Sequence, residues 1–254
     1  MKYLGETFDI HCGGKDLLFP HHENEIAQSE GATGKPYVHY WMHNGFINVD
    51  NQKMSKSLNN FFTVRDIAKD FDLEAVRLFM LSAHYRSPIN FSRDQIEAAN
   101  ASLNRLYTAR DHLRFLQENG EKRPLNEEET AFTGRLKEYE KRFDEAMDDD
   151  LNTADALGAI FELVKDANVS LKDNASSAAA ESALNSLNAL CGVLGFLGKG
   201  TDELPEEITA MMKEREEARK NKNWARSDEL RAAIQAAGYI LEDTKQGQKV
   251  RKDV

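Results

Sequence analysis

Between residues 96 and 194 apolar side chains recur every three or four positions, and this periodicity constrains the fold more than any other feature of the chain. Ile96, Ala99, Leu103, Leu106, Leu113 and Leu116 mark one stripe, and Phe132, Leu136, Tyr139, Phe143 and Met147 a second. Ala156, Ile160, Val164, Ala167 and Leu171 mark a third, and Leu184, Leu187, Cys191 and Leu194 a fourth. Residues three and four apart share one helix face, and such a face is stable only when buried against another element. A helical bundle over 96–200 is therefore expected. Asn152-Thr153 offers a cap before the third helix, and "NASSAAAES" (174–182) reads as a loop leading into the fourth.

The flanks differ. Residues 1–60 are rich in glycine and hold five of the seven histidines. "TFDIHCGG" reads as a strand running into a glycine turn, "HHENEIAQSEGA" as a helix, and "NGFINVD" as a strand followed by a polar loop. "LEAVRLFMLSA" (73–83) reads as a buried helix that stops before "HYRSPINFS", where Pro88 forces extended backbone. Past the Gly- and Pro-containing linker "LGKGTDELP" come a charged helix (206–221), a second helix (224–237) stopped by Gly238, and two segments split by "TKQG" that suggest a hairpin. The expected fold is mostly α with an N-terminal α/β portion, divided at 1–60, 61–95, 96–200 and 201–254.

Charge narrows the partners. The net charge of −10 argues against a global attraction to nucleic acid. The tail "KQGQKVRK" carries Lys245, Lys249, Arg251 and Lys252 with no acid, and a local strip of this kind can still grip phosphates. The two cysteines, Cys12 and Cys191, lie far apart, which speaks against a disulfide scaffold and fits a reducing compartment. No apolar run is long enough to span a bilayer, and "MKYLGETFDI" lacks the cationic and apolar regions of a signal peptide. The expectation is a cytoplasmic protein with no membrane partner.

Three stretches carry chemistry. "KMSKS", Lys53 to Ser57, sets two mobile ammonium groups and two hydroxyls on one loop. Ammonium groups suit phosphate oxygens, and a cation held more tightly as charge grows on a leaving group lowers the barrier. A solvated turn is the ordinary reading of two lysines so spaced. In "FPHHENE", His21 and Glu25 are one helical turn apart and share a face. Imidazole and carboxylate are zinc ligands, though such a pair also occurs as a surface hydrogen bond. In "ARKNKNWARSDELR" one tryptophan stands among cations. Trp224 can stack on an unpaired base or pack on its neighbours.

These stretches share one resemblance. "KMSKS" is the signature of class I aminoacyl-tRNA synthetases. "FDIHCGGKDLLFPHHENEIAQSEGATGKPYVHYWMHNGFINVDNQKMSKSLNNFFTVRDI" closely resembles the cysteinyl-tRNA synthetase family. The likeness continues through "EAVRLFMLSAHYRSPINFS" and "DDLNTADALGAIFELVKDAN", and ends in "REEARKNKNWARSDELRAAIQAAGYILEDTKQGQKVRK". It implies part of a Rossmann-type class I catalytic domain, then a stem-contact region, a helical bundle and a small α+β anticodon-binding module. It implies ATP with Mg2+, cysteine and tRNA(Cys) as ligands. Lys53 and Lys56 would be catalytic, and Lys56, Ser55 and Ser57 would meet the ATP phosphates.

His21 and Glu25 would bind Zn2+ together with two cysteines that the family carries earlier in its chain. His11 and His22 would shape the cysteine pocket. Arg219, Trp224, Asp228 and Asp243 would read the anticodon. The family's H-I-G-H motif also lies upstream of the residues present, so the expectation is the C-terminal part of such an enzyme. Two other functions stay open: a non-catalytic tRNA-binding fragment, and a ligase that joins cysteine to an amino sugar in mycothiol synthesis. The latter family lacks a matching anticodon-binding tail. Cys12 is expected to be a small buried residue in its turn, Cys191 a core residue, and His39 and His43 half-buried packing beside Tyr40 and Trp41.

Overall fold

The computed structural model describes residues 1–54, 63–199, 205–244 and 247–252. They divide into two compact units, one of residues 1–104 with 144–158, the other of residues 105–143 with 159–254.

In the first unit strand β1 (Phe8–Gly14) runs parallel to β2 (Val38–Asn44), and helix α1 (Glu23–Thr33) joins them. Parallel neighbours need such a crossover, and the helix supplies it. Gly13 and Gly14, expected to turn the chain, instead continue the strand opposite His43 and Asn44. Helix α1 ends at Gly34, whose φ of +68° is the left-handed geometry of a helix stop. Short strands β3 (Ile47–Val49), β4 (Gln52–Lys53) and β5 (Ile89–Phe91) form a second sheet in the order β4-β3-β5. Asp50 and Asn51 turn β3 into β4, both at positive φ (47° and 62°), the hand that two-residue hairpin loops require. Helices α2 (Val64–Asp70) and α3 (Leu73–Leu81) lie between β4 and β5 in sequence. Thr63 and Asp66 close a reciprocal capping box at the head of α2, and Asp72 caps α3.

Four helices carry the stripes: α4 (Arg93–Asn119), α5 (Glu127–Asp148), α6 (Thr153–Ser170) and α7 (Ser177–Leu194). Every residue of the first, third and fourth stripes is buried, as are Phe132, Leu136 and Phe143 of the second. Helix α7 starts inside the stretch expected to be loop, because Ala179, Ala180 and Ala183 continue its buried face. In the second unit Arg135 of α5 makes two bonds of 2.8 Å to Asp166 of α6, and Ser186 of α7 donates to Glu140 of α5 at 2.6 Å. The C-terminal part comprises α8 (Glu206–Lys220), α9 (Trp224–Ala236) and the antiparallel pair β6 (Tyr239–Thr244) and β7 (Gly247–Lys252). Gly238, at φ +82°, separates α9 from the hairpin as expected. No helix among the described residues is long and apolar enough to cross a membrane.

Candidate functional site

Strand periodicity builds the histidine cluster. Side chains alternate across a strand, so His11 and Gly13 share one face of β1 while Ile10 and Cys12 take the other. On β2 the register sets Trp41 opposite His11 and His43 opposite Gly13. His22 stands just before α1 and enters the same space, only 4% exposed. Gly13 makes room for it: a Cβ there would lie 2.7 Å from His22 Cε1. His22 Nδ1 and His43 Nε2 are 2.8 Å apart, and His11 Nε2 and Glu25 Oε2 are also 2.8 Å apart. Trp41 packs edge-on against His11 with ring centres 4.7 Å apart, and stacks parallel to His43.

Burial lowers the His22 pKa, and the neighbouring His11 lowers it further. His22 is therefore neutral at neutral pH, with one ring nitrogen a donor and the other an acceptor. A neutral imidazole can accept a proton, hold a thiol by a hydrogen bond or ligate a metal.

His11, His22 and Glu25 each offer a ligand atom, all within 4.8 Å of one another. Two imidazole nitrogens and one carboxylate oxygen form a donor set that suits zinc. Of the expected pair, Glu25 belongs to this group, whereas His21 is exposed at the head of α1 and stands outside it. His11 and His22, expected in the cysteine pocket, are thus brought against Glu25. Cys12 is exposed rather than buried, because alternation along β1 turns it away from His11. His43 is half-buried as expected, whereas His39 is exposed. The role of Trp41 and His43 in this cluster was missed in the sequence. The alternation of His39, Trp41 and His43 in "VHYWMHN" was the available signal for a strand with one aromatic face.

Of the lysine loop, Ser55, Lys56 and Ser57 lie outside the described residues, as does the side chain of Lys53. Its two anchors are described. Lys53 pairs with Asn48 across β3 and β4, and Asn51 N donates to Asn90 Oδ1 at 2.6 Å. On the far side Asp66 N donates to Thr63 Oγ1 at 3.3 Å, and Thr63 N donates back to Asp66 Oδ2 at 3.1 Å.

In the C-terminal part Trp224 opens α9 behind its cap Asn223 and is 59% exposed. Asp228 is exposed one turn later, on the same helix face. Asp243 is differently placed. Its carboxylate accepts from Arg215 at 2.8 and 2.9 Å and pairs with Arg219 at 2.7 Å. Hydrogen bonding by Arg215 holds its pKa down to about 2, with Arg219 adding to the effect against burial. Asp243 therefore fixes α8 to β6 and orients Arg219. Lys245 lies outside the described residues, as do the side chains of Lys249, Arg251 and Lys252.

Comparison with known proteins follows the same order along the chain. Residues 1–101 match the family of tRNA synthetases class I (C) catalytic domains. Residues 142–198 match the DALR domain, and residues 201–251 the cysteinyl-tRNA ligase anticodon binding domain. The cysteine–tRNA ligase of Lachnospira eligens is 51% identical over 97% of this chain and 52% of its own length. That of Clostridioides difficile is 49% identical over 99% of this chain and 54% of its own. The chain thus spans about half the length of the curated relatives it matches. Among solved structures, the LeuRS of Agrobacterium radiobacter K84, in a ternary complex with tRNA and LeuAMS, superposes with a TM-score of 0.62. It is 18% identical, over 73% of this chain and 25% of that one. Mycobacterium tuberculosis methionyl-tRNA synthetase, in complex with methionyl-adenylate, superposes with a TM-score of 0.54 at 20% identity. The match covers 74% of this chain and 40% of that one. At these identities both show likeness of fold.

Proposed function

The chain belongs to the cysteine–tRNA ligase family, and from that premise we propose that it serves in the ATP-dependent activation of cysteine and its transfer to tRNA(Cys) in the cytoplasm. The observation that carries this reading is the sequence of three family matches, catalytic, DALR and anticodon-binding, in one chain about 50% identical to such ligases along nearly its whole length. The match at 201–251 favours tRNA over an amino sugar as the acceptor.

In the first step the cysteine carboxylate attacks the α-phosphate of Mg·ATP. The bond to the β-phosphate breaks, pyrophosphate leaves, and cysteinyl-adenylate remains. In the second, a terminal ribose hydroxyl of tRNA attacks the mixed anhydride and AMP leaves. Lys56 holds the phosphates as charge grows on the leaving group, with Lys53, Ser55 and Ser57 holding the loop. Strand β4 and the capping box at Thr63 fix the two ends of that segment.

The family resemblance is the ground on which we assign His21 and Glu25 to zinc, although His21 stands outside the group of His11, His22 and Glu25. His11 then orients Glu25 through its hydrogen bond. The chemistry zinc supplies when bound is selection by softness, favouring a thiolate over the hydroxyl of serine. His22, neutral and fixed by His43, lines the cysteine pocket with His11. Residues 1–60 then belong to the catalytic domain, 61–95 to the stem-contact region and 96–200 to the bundle. Residues 201–254 bind the anticodon through Arg219, Trp224 and Asp228. Lys245, Lys249, Arg251 and Lys252 meet phosphates.

The test joins this chain in frame to the remaining part of the Lachnospira eligens enzyme. Cysteine-dependent ATP–pyrophosphate exchange and charging of tRNA(Cys), both lost when Glu25 or Lys56 is substituted, are the expected results. Binding of tRNA with no exchange in that fusion would leave a tRNA-binding role alone.

A further inference from the structure

The turn between α5 and α6 stores an unusual conformation. Asp150 and Leu151 are consecutive, neither is glycine, and both are left-handed, with φ of 54° and 55°. Such a conformation is strained for a residue with a side chain and persists only where its surroundings hold it. Leu151 is 45% exposed, so burying its side chain is not the reason. The conformation delivers the Asp150 carboxylate to the loop between α3 and β5. Tyr85 Oη donates to Asp150 Oδ1 at 2.8 Å, and Arg86 Nη2 reaches Oδ2 at 2.7 Å. Arg86 Nε also donates to Tyr85 Oη at 3.0 Å, while His84 stacks on Tyr85 and lies 3.7 Å from Asp150. One carboxylate therefore gathers three consecutive side chains, His84, Tyr85 and Arg86, about 65 residues earlier in the chain.

Those residues are tied in turn to the base of the lysine loop. Gly45 N donates to the Tyr85 carbonyl at 2.7 Å, and Ile89 N to the Phe46 carbonyl at 2.9 Å. Gly45 sits so close that a Cβ would lie 2.3 Å from the Ser87 carbonyl oxygen. Strand β5 then pairs with β3, Asp50 N donates to the Phe91 carbonyl at 3.2 Å, and Asn90 holds Asn51 in the β3–β4 turn. Every link belongs to the first unit.

We propose that Asp150 is a positioning residue for the lysine loop: through Tyr85 and Arg86 it fixes the β5–β3–β4 ladder from which that loop departs at Lys53. The proposal rests on the reading that this loop meets ATP phosphates. It gives the α5–α6 turn, at the edge of the DALR-matching region, a part in nucleotide activation. Asp150 touches no reactant; it acts through backbone placement.

Hydrogen exchange on this chain tests the ladder without needing activity. Asp150→Ala should speed exchange at Gly45, Asp50 and Asn51 by at least about tenfold, with α7 amides unchanged. Tyr85→Phe, which keeps the ring and loses both hydroxyl contacts, should do the same to a smaller extent. It decides the matter if Asp150→Ala loosens α7 as well. In the fusion with the Lachnospira eligens remainder, Asp150→Ala should raise KM for ATP about fivefold and leave KM for cysteine within about twofold. Asp150→Glu should restore most of the loss. A merely structural role would lower the amount of active enzyme and move neither KM. Unchanged exchange at 45–51 in both variants, or equal shifts in the two KM values, would overturn the proposal. A fusion inactive before any substitution would instead count against the proposed function, and the exchange result would still decide the ladder.

Discussion

Arg215 and Asp243 meet through two parallel hydrogen bonds of 2.8 and 2.9 Å, and the arginine side chain is only 1% exposed. A two-point pair of this kind fixes orientation as well as charge. Gln248 of β7 accepts from the same guanidinium at 2.7 Å and donates to the Met212 carbonyl at 2.9 Å, so α8 and both strands of the hairpin share one polar knot. Asp243→Ala leaves a buried cation without its partner and should cost about 3 kcal/mol of the stability of this part. Urea unfolding followed by Trp224 fluorescence measures it. Asp243→Asn should weaken binding of cysteine tRNA and of an anticodon-swapped tRNA to similar extents, since its first effect is to release Arg219. A change confined to one anticodon would return Asp243 to direct base contact.

Trp224 is exposed where Asp243 is engaged. Trp224→Ala should weaken tRNA binding by roughly 1–3 kcal/mol, the usual worth of a stacked base. Adenylation without tRNA should be unaffected. Neutralising Lys249 should lower the salt dependence of binding by about one counterion, with little regard to anticodon sequence. Titration of both tRNAs across a salt series separates the two effects. If Trp224→Ala binds both as tightly as the unsubstituted protein, the tryptophan only packs.

Lys56 is expected to matter more in the transition state than in the ground state. Lys56→Ala in the fused enzyme should slow single-turnover adenylation by ~100-fold or more while cysteine affinity changes little. Collapse of cysteine affinity at an unchanged adenylation rate would remove the lysine from the phosphates.

Zinc content distinguishes His21 from His11 as a ligand beside Glu25. Glu25→Gln and His21→Ala should each abolish stoichiometric zinc in the fused enzyme. His11→Ala should weaken retention by about 10–100-fold, as loss of a ligand's supporting hydrogen bond does. Zinc lost with His11→Ala and kept with His21→Ala would make His11, His22 and Glu25 the binding set.

Glu129 supplies a pH dependence of known sign. It is buried at the head of α5, where Asn126 caps the helix and Glu129 returns a bond to Asn126 N at 2.9 Å. Arg123 binds both its oxygens, at 2.7 and 2.9 Å, and Ser176 N donates at 2.8 Å. Hydrogen bonding by Arg123 lowers its pKa from 4.5 to about 2 against the opposing effect of burial, helped by the Asn126 and Ser176 backbone amides. A carboxylate whose folded pKa is depressed stabilises the protein fully above its unfolded value and loses that contribution as pH falls through the folded one. Stability should therefore drop by about 3 kcal/mol between pH 5 and pH 2 on account of this group. Glu129→Gln, less stable at pH 7, should show a correspondingly shallower decline in urea unfolding over the same range.

The sequence by itself determined where the main helices lie, most of their buried faces and the family, though not the start of α7 or the half-buried places of Tyr139 and Met147. Ile96, Leu103, Leu106 and Leu113 specify a buried face through local spacing alone, and a helix needs no distant residue to show its period. The chemistry-bearing motifs were legible for the same reason, since "KMSKS" and "HHENE" are contiguous. Tertiary structure decided which side chains meet. Glu25 faces His11 across 14 residues because β1 and α1 fold onto each other. Asp243 meets Arg215 across 28 residues, and Asp150 meets Tyr85 across 65. Such contacts depend on strand register and on the angle at which a turn delivers a carboxylate. Neither has a local signature, because the energy that fixes them comes from burial and hydrogen bonding between segments distant in sequence.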